Sequence, residues 1–319
     1  MTLNSGAGSA TMHAPPLQRR SGLRCLNRNE NSSPESCSKP QMPDSPIISI
    51  QSEVVRGHVG NSAARFALQR LGLDVWSLPT VLLSHHPGHG RPEGRTTEAQ
   101  ELVALFDSLA RRGWAGQVRG VITGYLGAAA QASAAASIVA RVKALNPAAL
   151  YLCDPVFGDD DGAYAKPGVA EAIARDLLPL ADIAAPNRFE LSSLSSQRVE
   201  SPADAVRAAR LLGLREVVVT SVPDGARIAN IVVTPSQAWR CSVERETHVP
   251  HGTGDLLSAL YLALRVGGHA PVDALAASVS RVQAVIRTSL GRDELQLVAA
   301  QDCLVHEKDT LPVEIVQAG

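Results

Sequence analysis

From residue 46 onward, short β-branched runs alternate with runs of helical period. This alternation constrains the fold more than any single motif. "PIISIQS" reads as a buried strand, and "NSAARFALQRLG" repeats apolar residues at helical spacing before stopping at Gly72. "DVWSLPTVLL", weakened at Pro79, then "VRGVITG", "ALYLCDP", "ADIAAPN" and "REVVVTS" supply further strands. Between them "TEAQELVALFDSLARRG", "AAQASAAASIVARVKALN", "KPGVAEAIARDLLPL" and "SPADAVRAARLLG" read as helices, with Pro167 near a first turn and Ser201 as an N-cap. Strands separated by helices of this length pair in parallel and are covered on both faces. "RIANIVVTPSQAWRCSVE" changes character and reads as a hairpin turning at "TPSQ"; helices at 253–267 and 271–288 follow. With no fixed repeat and no internal linker, residues 46–319 are expected to form one α/β domain.

Residues 1–45 differ in kind. They are Ser, Asn, Pro and Gly with hardly any apolar content, too little to offset the entropy of ordering, so a disordered N-terminal tail is expected. Removing residues 1–44 should leave soluble, active protein; loss of solubility on truncation would give the tail a structural role. Lys plus Arg (30) nearly balances Asp plus Glu (31), which argues against a nucleic-acid binder. No apolar run is long enough to span a membrane. Five dispersed cysteines without C-x-x-C spacing suit reduced thiols in a cytoplasmic protein.

In open α/β sheets, ligands bind beyond the carboxyl ends of the strands. Six polar or glycine-rich segments follow predicted strands there: "QSEVVRGHVGN", "SHHPGHG", "GYLG", "DPVFGDDDG", "APNRFE" and "TSVPDG". "HGTGDLLSALYLAL" adds a helix mouth. Unpaired N–H groups and the helix dipole make such a mouth an anion site, and Gly252 and Gly254 would let a phosphate approach the backbone. Asp255 directly after them is either a carboxylate favoured by the dipole or a base that takes a substrate proton while the N–H groups hold a phosphoryl group. No G-x-x-x-x-G-K-[ST] loop occurs, and "GHVGN" lacks dinucleotide spacing. Asp154, at a strand end, suits the Mg²⁺ that accompanies a nucleotide, whereas Asp160 and Asp161 read as a solvated loop. Asn187 and Glu190 either form a capping box or orient a metal-bound water. His85, His86 and His89 lack a nearby thiol or carboxylate and read as substrate or solvent contacts in preference to zinc ligands.

In this order the motifs resemble the pyridoxal kinases of the ribokinase superfamily. The resemblance runs from "ISIQSEVVRGHVGNSAARFALQRLGLDVW" through "VITGYLG", "YLCDPVFGDDDGAY", "LLPLADIAAPNRFEL", "VVVTS" and "GTGDLLSAL" to "DELQLVAAQDCL". It implies a ribokinase-like three-layer α/β/α sandwich with a mostly parallel sheet, which transfers the ATP γ-phosphoryl group to the 5′-hydroxymethyl of pyridoxal. By similarity, Asp255 is the base, and Gly252, Thr253 and Gly254 form the anion hole. Asp154, Asp159, Ala185, Asn187, Glu190, Thr220 and Ser221 fall on the nucleotide side, with Asp154 and Glu190 toward Mg²⁺. Ser52 matches a hydrogen-bond partner of the pyridine ring, and Val59 and Tyr125 pack on it. The resemblance also implies a monovalent cation such as K⁺ and a homodimer.

Several positions depart from the family pattern. Glu53 stands where His is frequent, and Pro87 and Gly88 replace polar residues in the substrate loop, leaving His86 or His89 to hold the ring. Hydroxymethylpyrimidine kinase, of the same superfamily, is the nearest rival. A vitamin B6-binding sensor without catalysis is the rival of another class, and the intact G-T-G-D argues against it.

Overall fold

The computed structural model describes residues 46–306 and 310–317. They belong to one compact unit, Met42–Gly319. The tail expected over 1–45 lies outside the described residues. The elements in chain order are β1 (Ile47–Val54), α1 (Asn61–Arg70), β2 (Val75–Leu83), β3 (Gly94–Thr96), α2 (Ala99–Arg111), β4 (Gly120–Thr123) and α3 (Ala130–Leu145). There follow β5 (Leu150–Cys153), the small ribbon β6 (Gly158–Asp159) and β7 (Gly162–Ala163), α4 (Val169–Ala172), β8 (Ile183–Ala184), α5 (Arg188–Ser195) and α6 (Pro202–Leu211). Then come β9 (Glu216–Asp224), β10 (Arg227–Val233), β11 (Ala238–Glu244), α7 (Thr253–Val266), α8 (Pro271–Ser289) and β12 (Glu314–Ile315).

The main sheet has the order β12-β11-β10-β9-β8-β5-β4-β1-β2-β3. From β9 to β2 all pairings are parallel. β3 at one edge and β10, β11 and β12 at the other pair antiparallel. Strand alternation sorts the core onto two faces. Ile47, Ile122, Leu152, Ile183 and Val218 pack toward one set of helices, α1, α7 and α8. Their neighbours Ile48, Val121, Tyr151 and Val219 face the helices on the other side. The result is a three-layer α/β/α sandwich. β1 feeds β2 on one side, while β4, β5, β8 and β9 build outward on the other. The order therefore reverses beside β1 and opens a crevice at the strand ends.

One local expectation needed correction. "KPGVAEAIARDLLPL" is not one helix. Gly168, left-handed at φ 82°, precedes the four-residue α4, which widens into a π turn over 173–177 and tightens into a 3₁₀ turn over 178–180. Pro179 has no N–H to donate, so the α-helical ladder cannot run through it. The strand expected over "DVWSLPTVLL" forms as β2, and Pro79, where it was expected to weaken, lies opposite Gln51, where the β1–β2 register shifts. The hairpin is as expected, with Thr234 N donating to Gln237 O at 2.8 Å across its turn.

Candidate active site

α7 brings the chemistry to the crevice. Its residues Leu256 to Leu264 are all buried, so the helix is locked in place through the core. At its far end Glu216 accepts from Tyr261 Oη (2.6 Å) and Arg265 Nε (2.9 Å). At its mouth Gly252 is left-handed (φ 101°), and a Cβ there would stand 2.0 Å from His58 O. The turn into α7 is therefore pressed onto the β1–α1 loop. Gly60 lies in the same loop, and a Cβ there would fall 2.3 Å from Ser52 Oγ. Close backbone approach thus gathers Ser52, Val59 and the mouth of α7 into one corner.

Apart from His85 and His89, the site residues named from the sequence line a single cleft of about 780 Å³. Ser52, Val59, Tyr125 and His86 stand at one end. Asp159, Ala185 and Asn187 stand beyond the ends of β5 and β8, with Thr220 and Ser221 beside them within β9. Gly252, Thr253, Gly254 and Asp255 share the cleft with Asp154 and Glu190. Thr220 pairs with Asn187 in a parallel bridge, and Ser221, left-handed at φ 61°, lies inside β9 where its register with β10 shifts.

The three carboxylates are held differently. Burial raises the Asp255 carboxyl to about 6, with the Gly60 N–H opposing the rise. Asp154 is pushed up to about 8 by burial and then by Asp255, while Ser258 Oγ, donating to its Oδ2 at 2.8 Å, counters both. Glu190 is raised well above the usual carboxylate range by burial and by Asp154. The capping box at α5 is complete. Asn187 N donates to Glu190 Oε2 (2.9 Å) and Glu190 N donates to Asn187 Oδ1 (2.9 Å). Phe157 N also donates to Glu190 Oε1 at 3.1 Å. The two sequence readings of this pair are therefore compatible, because the cap fixes a buried carboxylate that faces Asp154.

In the "SHHPGHG" loop, Gly88 N donates to His86 Nδ1 at 3.1 Å, which places the proton of a neutral ring on Nε2. Burial and the neighbouring His251 lower His86 to about 4, so it is neutral at physiological pH. Its ring lies 4.1 Å from that of His251, centroid to centroid. His89 does not line the cleft; it turns to Glu294. Glu53 also points away, toward Arg65 (2.9 Å) and Ser62 (3.2 Å) on α1, so that departure leaves the cleft unchanged.

Sequence reasoning missed His251, Ser258 and Tyr164. Ser258 had a signal, since three residues after Asp255 places it on the same helix face. Tyr164, past the ribbon, lines the cleft, and its phenol is raised by burial and the surrounding carboxylates. The apolar wall of Val279, Val282 and Ile286 on α8 was also missed, since its helical spacing reads simply as core.

This sheet, with a glycine-bracketed helix mouth opening into the crevice, defines a ribokinase-like α/β/α protein. The phosphomethylpyrimidine kinase family model matches residues 115–298. A pyridoxal kinase PdxY of Burkholderia thailandensis is 42% identical over 268 residues, covering 80% of this chain and 93% of that relative. The PdxY of Deinococcus radiodurans is 40% identical, covering 80% and 91%. Among solved structures, the Leishmania donovani pyridoxal kinase in complex with ADP and pyridoxamine superposes with a TM-score of 0.81 at 29% identity, covering 86% of this chain and all of that one. The Trypanosoma brucei pyridoxal kinase gives 0.78 at 27% identity, with 86% of this chain covered. The chain belongs to the pyridoxal kinase family.

Proposed function

We propose that the chain is an ATP-dependent pyridoxal kinase, transferring the γ-phosphoryl group of ATP to the 5′-hydroxymethyl of pyridoxal to give pyridoxal 5′-phosphate and ADP. One observation carries this reading. Asp255 stands at the mouth of α7 directly behind Gly252–Gly254, in one cleft with the Asp154–Glu190 pair. The Gly252, Thr253 and Gly254 N–H groups hold the transferring phosphoryl, and Asp255 takes the hydroxyl proton. A carboxyl near 6 is largely ionised at neutral pH yet a stronger proton acceptor than an ordinary aspartate.

At the acceptor end the ring lies between Val59 and Tyr125, with Ser52 and the His86 Nε2–H as polar contacts. His86→Ala is expected to raise the KM for pyridoxal about tenfold while the KM for ATP stays put, the loss of one buried hydrogen bond. Steady-state kinetics with each substrate varied in turn checks this; parallel changes in both KM values would refute it.

At the nucleotide end Asp159, Ala185, Asn187, Thr220 and Ser221 line the path of ATP. The residues present also fit Mg²⁺. Asp154 and Glu190 are buried hard-oxygen donors whose mutual repulsion a cation relieves. Among the described residues no group of three or more His, Cys, Asp or Glu forms a protein-only cage, as suits an ion that completes its shell with phosphate and water. Asp154 and Glu190 would hold the ion, which would supply charge neutralisation at the transferring phosphate.

The family model named for phosphomethylpyrimidine kinase begins at residue 115, after Ser52, Val59 and His86. The pyridoxal kinase relatives align over 268 residues, well beyond that segment, which favours pyridoxal as acceptor. ADP production with Mg-ATP and pyridoxal, pyridoxine, pyridoxamine or hydroxymethylpyrimidine tests the reading. Turnover fastest with pyridoxal supports it. Turnover with the pyrimidine alone replaces it, and pyridoxal binding without turnover makes the protein a sensor. Repeating the assay with K⁺ replaced by a large organic cation tests the monovalent-cation dependence, and sedimentation tests the homodimer. Cys153, Cys241 and Cys303 are free thiols, and among the described residues no helix is long and apolar enough to cross a membrane. Free thiols support a cytoplasmic location.

A further inference from the structure

We infer that Glu294 is a positioning residue for acceptor binding: it clasps the substrate loop to the β1–α1 loop and so sets where His86 stands relative to the mouth of α7. The inference rests on the pyridoxal kinase reading above.

Glu294 follows α8 and is only 8% exposed. Leu295 and Leu297, both fully buried, anchor its segment. Its Oε1 accepts from Arg56 Nη1 at 3.0 Å and lies 3.0 Å from His89 Nε2. Asp293 takes the other Arg56 nitrogen at 2.7 Å. The carboxylate reaches this depth because residue 57 is glycine; a Cβ there would stand 2.6 Å from Glu294 Oε2, at a left-handed φ of 107°. The loop it grips is also tied to the root of the substrate loop, through Val55 N to Leu83 O (2.9 Å) and Arg56 N to Ser84 O (3.0 Å).

The grip on His89 is transmitted to His86. The two residues close one turn, His89 N donating to His86 O at 3.0 Å while His86 Nδ1 accepts from Gly88 N. Fixing His89 therefore fixes the ring of His86 against His251, the residue just before Gly252. The same segment touches the helix mouth directly, since a Cβ on Gly252 would lie 3.2 Å from Leu295 Cδ1. One short stretch after α8 thus contacts the substrate loop, the β1–α1 loop and the mouth of α7. A buried carboxylate shared in this way adds little net stability once its desolvation is counted. What it fixes is the geometry between the loop that receives the acceptor and the glycines that receive the phosphoryl group.

The test is a double-mutant cycle on Glu294→Ala and His89→Ala in the full chain, with KM for pyridoxal, KM for ATP, kcat and Tm measured for each. Each variant is expected to raise the pyridoxal KM about tenfold with the ATP KM unchanged, and the double variant no further than either alone. Glu294→Gln, which keeps an acceptor for both partners, is expected to recover most of the loss. If Glu294→Ala proves poorly folded, His89→Ala and Glu294→Gln still decide the matter through the KM split. Additive effects, equal shifts in both KM values, or an unchanged pyridoxal KM overturn the clamp. Absence of pyridoxal turnover in the wild-type protein overturns the functional reading and the clamp with it, whereas turnover with unaffected variants overturns the clamp alone.

Discussion

Asp255→Asn is expected to lower kcat by about 10²–10⁴-fold, the usual contribution of a positioned general base, with both KM values little changed. The same change should make the ligand-free protein more stable. Burial raises the Asp255 carboxyl to about 6, above its unfolded value near 3.8. A group raised on folding binds its proton more tightly in the native state. Its contribution is therefore favourable below the unfolded value and is lost as pH rises through about 6. At pH 8 the ionised carboxylate is a standing cost, discounted for its partial exposure to about 1–2 kcal/mol, and its charge also raises Asp154. Asparagine removes that cost. Thermal denaturation of both proteins should show the variant melting higher at pH 8, with the gap closing by pH 4. Loss of kcat with a lower Tm at pH 8 would mean that the carboxylate holds the loop together and that its effect on turnover is indirect. Near-normal turnover would remove Asp255 from the role of base.

How far the fold and site could be read depended on whether the governing interactions are local. The short unbroken apolar run at Ile47 to Ile50 marked a strand buried on both faces, and the helical spacing in Asn61 to Leu68 marked the buried face of α1, because both patterns are local. The Asn187–Glu190 capping box and the Ser201 cap were legible because their partners stand three residues apart. The edge strands β3 and β12 were not, being two or three residues long and defined only by their neighbours. In the site, G-T-G-D was legible as a helix mouth, but its environment was not. Ser258 bonds Asp154 from 104 residues away, and Glu294 meets Arg56 across 238. Such pairs leave no period in the sequence. His89 illustrates the limit: three histidines in "SHHPGHG" are indistinguishable by composition, yet one faces the cleft and another faces Glu294.

The two glycines that bracket Thr253 are expected to fail differently when replaced by alanine. Gly252 is left-handed at φ 101°, and its Cβ would stand 2.0 Å from the His58 carbonyl oxygen. Both the backbone conformation and the neighbouring backbone refuse a side chain, so the mouth of α7 must move. Gly252→Ala should cost about 1–3 kcal/mol from the backbone conformation alone, more with the clash, and should lower kcat at least about 100-fold by displacing the N–H groups aimed at the phosphoryl. Gly254 has an ordinary φ, lies within α7, and a Cβ there meets nothing within 4 Å. Gly254→Ala should therefore fold at least as well as the wild type, since alanine is the better helix former. The space its methyl would enter belongs to the cleft, where the phosphoryl group must touch the backbone. A loss of kcat/KM in Gly254→Ala without a fall in Tm would identify that glycine as one kept for the ligand, while Gly252 serves the fold and the ligand together. A Gly254→Ala variant with unchanged kinetics would show that the transferring group is held elsewhere along the helix mouth, and the assignment of Asp255 as its neighbouring base would have to move with it.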